Sequence, residues 1–115
     1  MNVYVCVKQV PDPNAPGKMD PATNRLVREG VELVMDPWDE YGVEAGLQLV
    51  EQHGGGVTVI SMGPERAKEA MRKALAMGAE RGVLVGDPAL AGSDALATAR
   101  ALAEAIKRES PDIVI

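Results

Sequence analysis

The chain has 115 residues, 46% hydrophobic and 25% charged, with a net charge of −5, a single cysteine and a single histidine. That size suits one domain with a modest core, the composition excludes a disordered chain, and the acidic balance argues against non-specific nucleic-acid binding, which needs a basic face. Cys6 alone makes no internal disulfide, no metal-ligand spacing is present, and no window approaches the about 18 apolar residues of a membrane span, so a reducing, cytoplasmic setting without membrane insertion is expected.

Asn2 to Lys8 (NVYVCVK) is rich in β-branched residues and predicts the first, central strand. Pro11-Asp12-Pro13 breaks it. Between Asn14 and Val27 the pieces Lys18-Met19 and Arg25-Leu26-Val27 bracket a turn, which predicts a small hairpin outside the main sheet. Asp36 then reads as a helix N-cap with Pro37 at the first helical position and acids where the helix dipole favours them. This helix is expected to run to about Gln52 with a buried seam of Tyr41, Ala45, Gln48 and Leu49, widened by Val43, Leu47 and Val50. Gly42 and Gly46 inside it each cost about 1 kcal/mol relative to Ala, so either another backbone approaches closely or the helix is slightly weak. His53-Gly54-Gly55-Gly56 ends it. These glycines precede a strand, whereas a phosphate loop follows one, so they are expected to form a plain cap and turn.

From Val57 to Val85 the sequence spells one βαβ unit: strand Val57 to Ile60, a Gly63-Pro64 turn, an amphipathic helix, and strand Gly82 to Val85. Ala67, Ala70, Met71, Ala74, Leu75 and Gly78 form the apolar helix face, while Lys68, Glu69, Arg72 and Lys73 face water. Gly92-Ser93-Asp94 caps a further helix with the stripe Leu96, Ala99, Leu102, Ala103 and Ile106. After Pro111, Asp112 to Ile115 begins a fourth strand. A chain ending inside an apolar strand reads as cut short, and apolar surface is expected to be exposed on that side. The whole predicts a single α/β nucleotide-binding domain over residues 1–115, a three-layer doubly wound fold with a mainly parallel sheet of order 3-2-1-4 and helices on both faces.

Such sheets bind ligands outside the carboxyl ends of their strands, here Lys8 to Asp12, Ser61 to Pro64, Asp87 to Asp94 and the helix start Asp36 to Glu40. No nucleotide fingerprint, Gly-Lys-Ser/Thr loop or nucleophile elbow occurs, and Ser61 and Ser93 have only His53 as a conceivable base. Binding is favoured over catalysis. Cys6 reads as a small core residue. For Trp38, a core or staple role and a ring-stacking role stand side by side.

The blocks Tyr4-Val5-Cys6-Val7-Lys8-Gln9-Val10-Pro11-Asp12, Met35-Asp36-Pro37-Trp38-Asp39-Glu40-Tyr41, Ser61-Met62-Gly63-Pro64-Glu65, Lys73 to Arg81 and Ala91 to Ala99 resemble, in order, the amino-terminal half of the electron transfer flavoprotein β subunit. The resemblance implies a small electron-carrying subunit without catalytic residues of its own. It implies pairing with an α subunit that holds most of the redox FAD, electron supply from flavin dehydrogenases such as those acting on acyl-CoA, and delivery to a quinone-linked acceptor. It also implies a structural AMP against Cys6, Asp36, Pro37, Trp38, Asp39 and Met62, with Trp38 near the partner's flavin. Pro13 stands where an aromatic occurs in some members, and the family chain continues beyond Ile115 through a loop that supplies much of the phosphate cradle. Three rivals remain: a β subunit holding FAD in place of AMP, as in electron-bifurcating relatives; an enzyme of the adenine nucleotide α-hydrolase type, which shares the architecture but carries a Ser-Gly-Gly-x-Asp-Ser loop where this chain has Lys8 to Asp12; and a plain interaction domain.

Overall fold

The computed structural model describes residues 1–115. In chain order the elements are β1 (Asn2–Cys6), β2 (Gln9–Pro11), β3 (Met19–Asp20), β4 (Arg25–Leu26), β5 (Leu33–Met35), α1 (Pro37–His53), β6 (Gly56–Met62), α2 (Lys68–Met77), β7 (Arg81–Val85), α3 (Ala95–Lys107) and β8 (Ile113–Val114). The main sheet has the order β7-β6-β1-β8, and every pairing in it is parallel. Numbering only its four strands along the chain gives the expected order 3-2-1-4. Because β1 is interior, its side chains are covered on both faces, and Val3, Tyr4 and Val5 are fully buried.

Alternation along β1 and β6 divides the core in two. Val3, Val5 and Val7 pack with Val57 and Val59 against Val43 of α1 and Ala70, Met71 and Ala74 of α2. Tyr4 and Ile60 point to the other face, against Ile106 of α3, with Cys6, Val83, Val85 and Leu102 beside them. The Tyr4 hydroxyl, although buried, accepts a hydrogen bond of 2.5 Å from Arg81, which also pairs with Glu109 at 2.9 Å. That satisfies the one polar atom of the core's largest side chain.

Helix α1 turns a different face inward from the predicted seam. Val43 and Gly46 are buried and Leu47, Leu49 and Val50 half-buried, whereas Tyr41, Ala45 and Gln48 are exposed. The glycines explain this. A Cβ at Gly46 would lie 3.1 Å from Val5 Cγ2, 3.3 Å from Val3 Cγ1 and 3.4 Å from Val57 Cγ2, and one at Gly42 would lie 3.3 Å from Val5 Cγ1. The helix therefore rests its glycine side on β1 and β6, and counting only bulky apolar residues pointed to the wrong face. Close approach, not weakness, accounts for both glycines, but what approaches is valine side chains of the sheet and not another backbone.

The α2 face follows the predicted pattern at Ala67, Ala70, Met71 and Ala74, all buried, but Leu75 and Gly78 at its carboxyl end are exposed. Its stripe of small side chains lets Met71 enter the space left at Gly82, where a Cβ would stand 2.7 Å from the Met71 Cε. On α3 the predicted stripe is only partly covered. Ile106 is buried and Leu102 half-buried, while Ala99 and Ala103 are exposed and Leu96 is 61% exposed. The reason is that β8, two residues long, is the outermost strand, so the sheet does not extend under the whole helix. The expected exposed apolar surface is here: a groove of about 430 Å³ along α3 and β8, with Val114 50% exposed.

The excursion between β1 and α1 contains the predicted hairpin, with Met19 paired to Leu26 and Asp20 to Arg25. It also contains an unforeseen ribbon in which Gln9, Val10 and Pro11 pair antiparallel with Met35, Val34 and Leu33. The first strand ends at Cys6, two residues short of the expected Lys8, and Gln9 to Pro11 run in this separate ribbon. A two-stranded ribbon has a free edge on each strand, so a proline at its end forfeits no ladder bond, and the Asp12 N–H carries the pairing on to the Glu32 carbonyl at 2.9 Å.

Two outcomes test this packing. Gly46→Leu overpacks the α1–sheet contact and should lower stability by about 1–3 kcal/mol, whereas Ala45→Leu on the exposed side should change it by less than about 0.5 kcal/mol, read from urea unfolding midpoints. Asp94 caps α3 through a 2.8 Å bond from the Ala97 N–H; Asp94→Ala should cost about 1 kcal/mol and Asp94→Ser much less, by the same measurement.

Candidate functional site

The carboxyl ends of the parallel strands share one rim, and the start of α1 is tied to it by the backbone of Lys8. The Lys8 N–H donates to Asp39 Oδ2 at 2.8 Å, and the Lys8 carbonyl accepts from the Asp36 N–H at 2.9 Å. The Lys8 ammonium lies 3.4 Å from Asp36 Oδ2. Asp36 is the N-cap as predicted, its Oδ1 accepting from the Trp38 N–H at 3.0 Å, and Pro37 occupies the first turn. One segment thus fixes both carboxylates against the end of β1.

Cys6 closes β1 on the α3 side and is half-buried, more open than the core position predicted for it. Its partly open state follows from the groove, whose wall it forms with Leu102, Ile106 and Val114. Burial, and next the nearby Asp39 charge, raise its thiol above the ordinary range. The thiol is therefore protonated at neutral pH and a poor nucleophile. Asp39 is itself raised, first by burial and also by the Asp36 charge, against the opposing effects of the Lys8 N–H and ammonium. Met62 ends β6, half-buried, two residues beyond Ile60, the partner of Cys6, and by alternation on the same side of the sheet as Ile60.

Trp38 is 78% exposed, which removes the core and staple reading. Its ring centroid lies 6.0 Å from that of Tyr41, with planes at 36°. Tyr41, which periodicity assigns to the buried seam of α1, is 72% exposed beside Trp38. A signal for it was available, because aromatic residues three apart at a helix start share a face.

The other predicted rim segments use their polar groups locally. Asp87 Oδ1 accepts from the Ala89 N–H at 2.8 Å, and the Ser93 hydroxyl donates to the Leu90 carbonyl at 2.6 Å. Further along the rim the Gly63 N–H donates to the Val85 carbonyl at 3.0 Å, and the Gln9 side-chain amide to the Arg66 carbonyl at 3.1 Å. Ser61 is buried and His53 sits exposed at the last turn of α1, the opposite end of that helix from the rim, so the two make no nucleophile–base pair.

Of the residues implied for an adenine nucleotide, Cys6 alone lines the apolar groove, and Asp36, Pro37, Trp38, Asp39 and Met62 are not part of its wall. The groove beside Cys6 is apolar and of a size within the about 300–1,000 Å³ range of small-molecule sites, which suits a purine face. Asp39 keeps acceptor capacity for a ribose hydroxyl or an amino group. Two carboxylates repel a phosphate, and among these residues Lys8 alone offers it a cation.

Residues 23–115 match the family model described as electron transfer flavoprotein domain. The chain is 48% identical over 119 residues to Protein FixA of Azorhizobium caulinodans, covering 99% of this chain and 42% of that protein. It is 49% identical over 114 residues to the electron transfer flavoprotein subunit beta of Thermoanaerobacterium thermosaccharolyticum, covering 99% and 44%, and 48% identical to that of Clostridium acetobutylicum with the same coverage. The chain therefore spans less than half the length of these relatives. With the family model covering residues 23–115 and these relatives matching almost the whole length of the chain, it belongs to the electron transfer flavoprotein domain family.

Proposed function

We propose that this chain is part of the small subunit of a heterodimeric electron transfer flavoprotein and acts as a carrier with no catalytic residues of its own. The observation that supports this most is the 49% identity to a subunit beta across 99% of the chain. In this reading AMP lies at the rim with its adenosine against Cys6, Asp36, Pro37, Trp38, Asp39 and Met62, and serves a structural part. The chemistry of the rim favours that orientation, since its carboxylates suit hydroxyl and amino donors and its apolar wall suits a purine. The redox FAD belongs mainly to the partner α subunit, where it supplies one- and two-electron transfer. The exposed Trp38 ring faces that flavin. Electrons come from flavin dehydrogenases, those acting on acyl-CoA among them, and go to a quinone-linked acceptor in a cytoplasmic setting.

Mass spectrometry of nucleotide extracted from the native heterodimer tests this directly. One AMP per heterodimer is expected in addition to the flavin. A second FAD in place of AMP would move a redox group into this chain, and the absence of both nucleotides from the rim would remove the proposal. Cys6→Leu should fill the adenine wall and weaken AMP retention by about tenfold or more, while Cys6→Ala should retain it, measured by equilibrium dialysis of the heterodimer.

A further inference from the structure

Trp38 and Tyr41 place two large aromatic side chains in water at the start of α1, 78% and 72% exposed. Tyr41 belongs to the seam that periodicity predicts, yet the glycine face of α1 takes the core and leaves this ring outside. Three residues apart on one helix, the rings share a face, and their 6.0 Å separation and 36° tilt lie within the about 4.5–7 Å range of aromatic pairs. The acids around them are engaged elsewhere: Asp39 accepts from Lys8, and Glu40 pairs with Lys73 of α2. An exposed indole anchored only through its stem exchanges among rotamers on the picosecond to nanosecond scale. A second ring resting against it removes some of those rotamers and leaves the outward face free.

We infer that Tyr41 is a positioning residue for Trp38, backing the indole so that it is presented outward in one orientation. The surface this creates suits a flat aromatic ring approaching from outside the chain. That the incoming ring is the partner's flavin rests on the function proposed above. The backing of Trp38 by Tyr41 rests only on the geometry of this helix turn.

Trp38 is the chain's single tryptophan, so its emission reports on this ring alone. Time-resolved anisotropy of the 115-residue chain should show the same small sub-nanosecond component for the unsubstituted protein and for Tyr41→Phe. In Tyr41→Ala that component should grow by about twofold or more, with the far-ultraviolet circular dichroism unchanged. Identical decays for the unsubstituted chain and Tyr41→Ala overturn the inference, as does a Tyr41→Phe variant that behaves like Tyr41→Ala. In a heterodimer whose other tryptophans are replaced by Phe, flavin quenching of Trp38 emission should persist in Tyr41→Phe and weaken by about twofold in Tyr41→Ala. Quenching absent from that heterodimer with Tyr41 in place overturns the flavin-facing reading of Trp38, while the anisotropy series by itself decides the role of Tyr41.

Discussion

Parallel pairing of β1 between β6 and β8 is the constraint from which the rest follows. Strands running the same way cannot be joined by a tight turn, so each return needs a crossover, and here each crossover contains a helix. Every helix then begins near the carboxyl ends of the strands. The starts of α1 and α3 and the turn before α2 come together on one rim for that reason alone, before any side chain is considered.

Side chains then decide how closely the layers approach. Gly42 and Gly46 let α1 lie against Val3, Val5 and Val57, and Gly82 makes room for Met71 under α2. Each helical glycine sacrifices about 1 kcal/mol of helix propensity, offset by packing that a larger residue would obstruct. The close seating of α1 also has a consequence at the rim. It brings Asp36 and Asp39 within reach of Lys8, so the same packing that builds the core sets both residues against the end of β1.

The two faces of the sheet differ in completeness. Beneath α1 and α2 the core is continuous, whereas α3 covers Tyr4 and Ile60 but leaves an apolar groove toward β8. Cys6 lies at that boundary, which gives a residue of ordinary core character a partly open environment. The rim therefore carries two carboxylates held at Lys8 and an outward aromatic pair, and the apolar groove reaches it at Cys6.

Chain-local chemistry made much of this legible. The Asp36 cap with Pro37, the Asp94 cap, the small hairpin and the βαβ unit all depend on residues within a few positions of one another, and the sequence determined them. The sheet order followed as well, because parallel crossovers leave few topologies. Contacts between distant segments were decided only by the tertiary structure. Which side of α1 is buried depends on the shape of β1 and β6 beneath two glycines, information absent from the hydrophobic pattern of the helix itself. The Gln9–Pro11 ribbon needs its partner at Leu33–Met35, and the outward turn of Tyr41 beside Trp38 needs the glycine face to win the core. A periodic pattern records which residues share a face, but only the fit between two surfaces determines which face is inside.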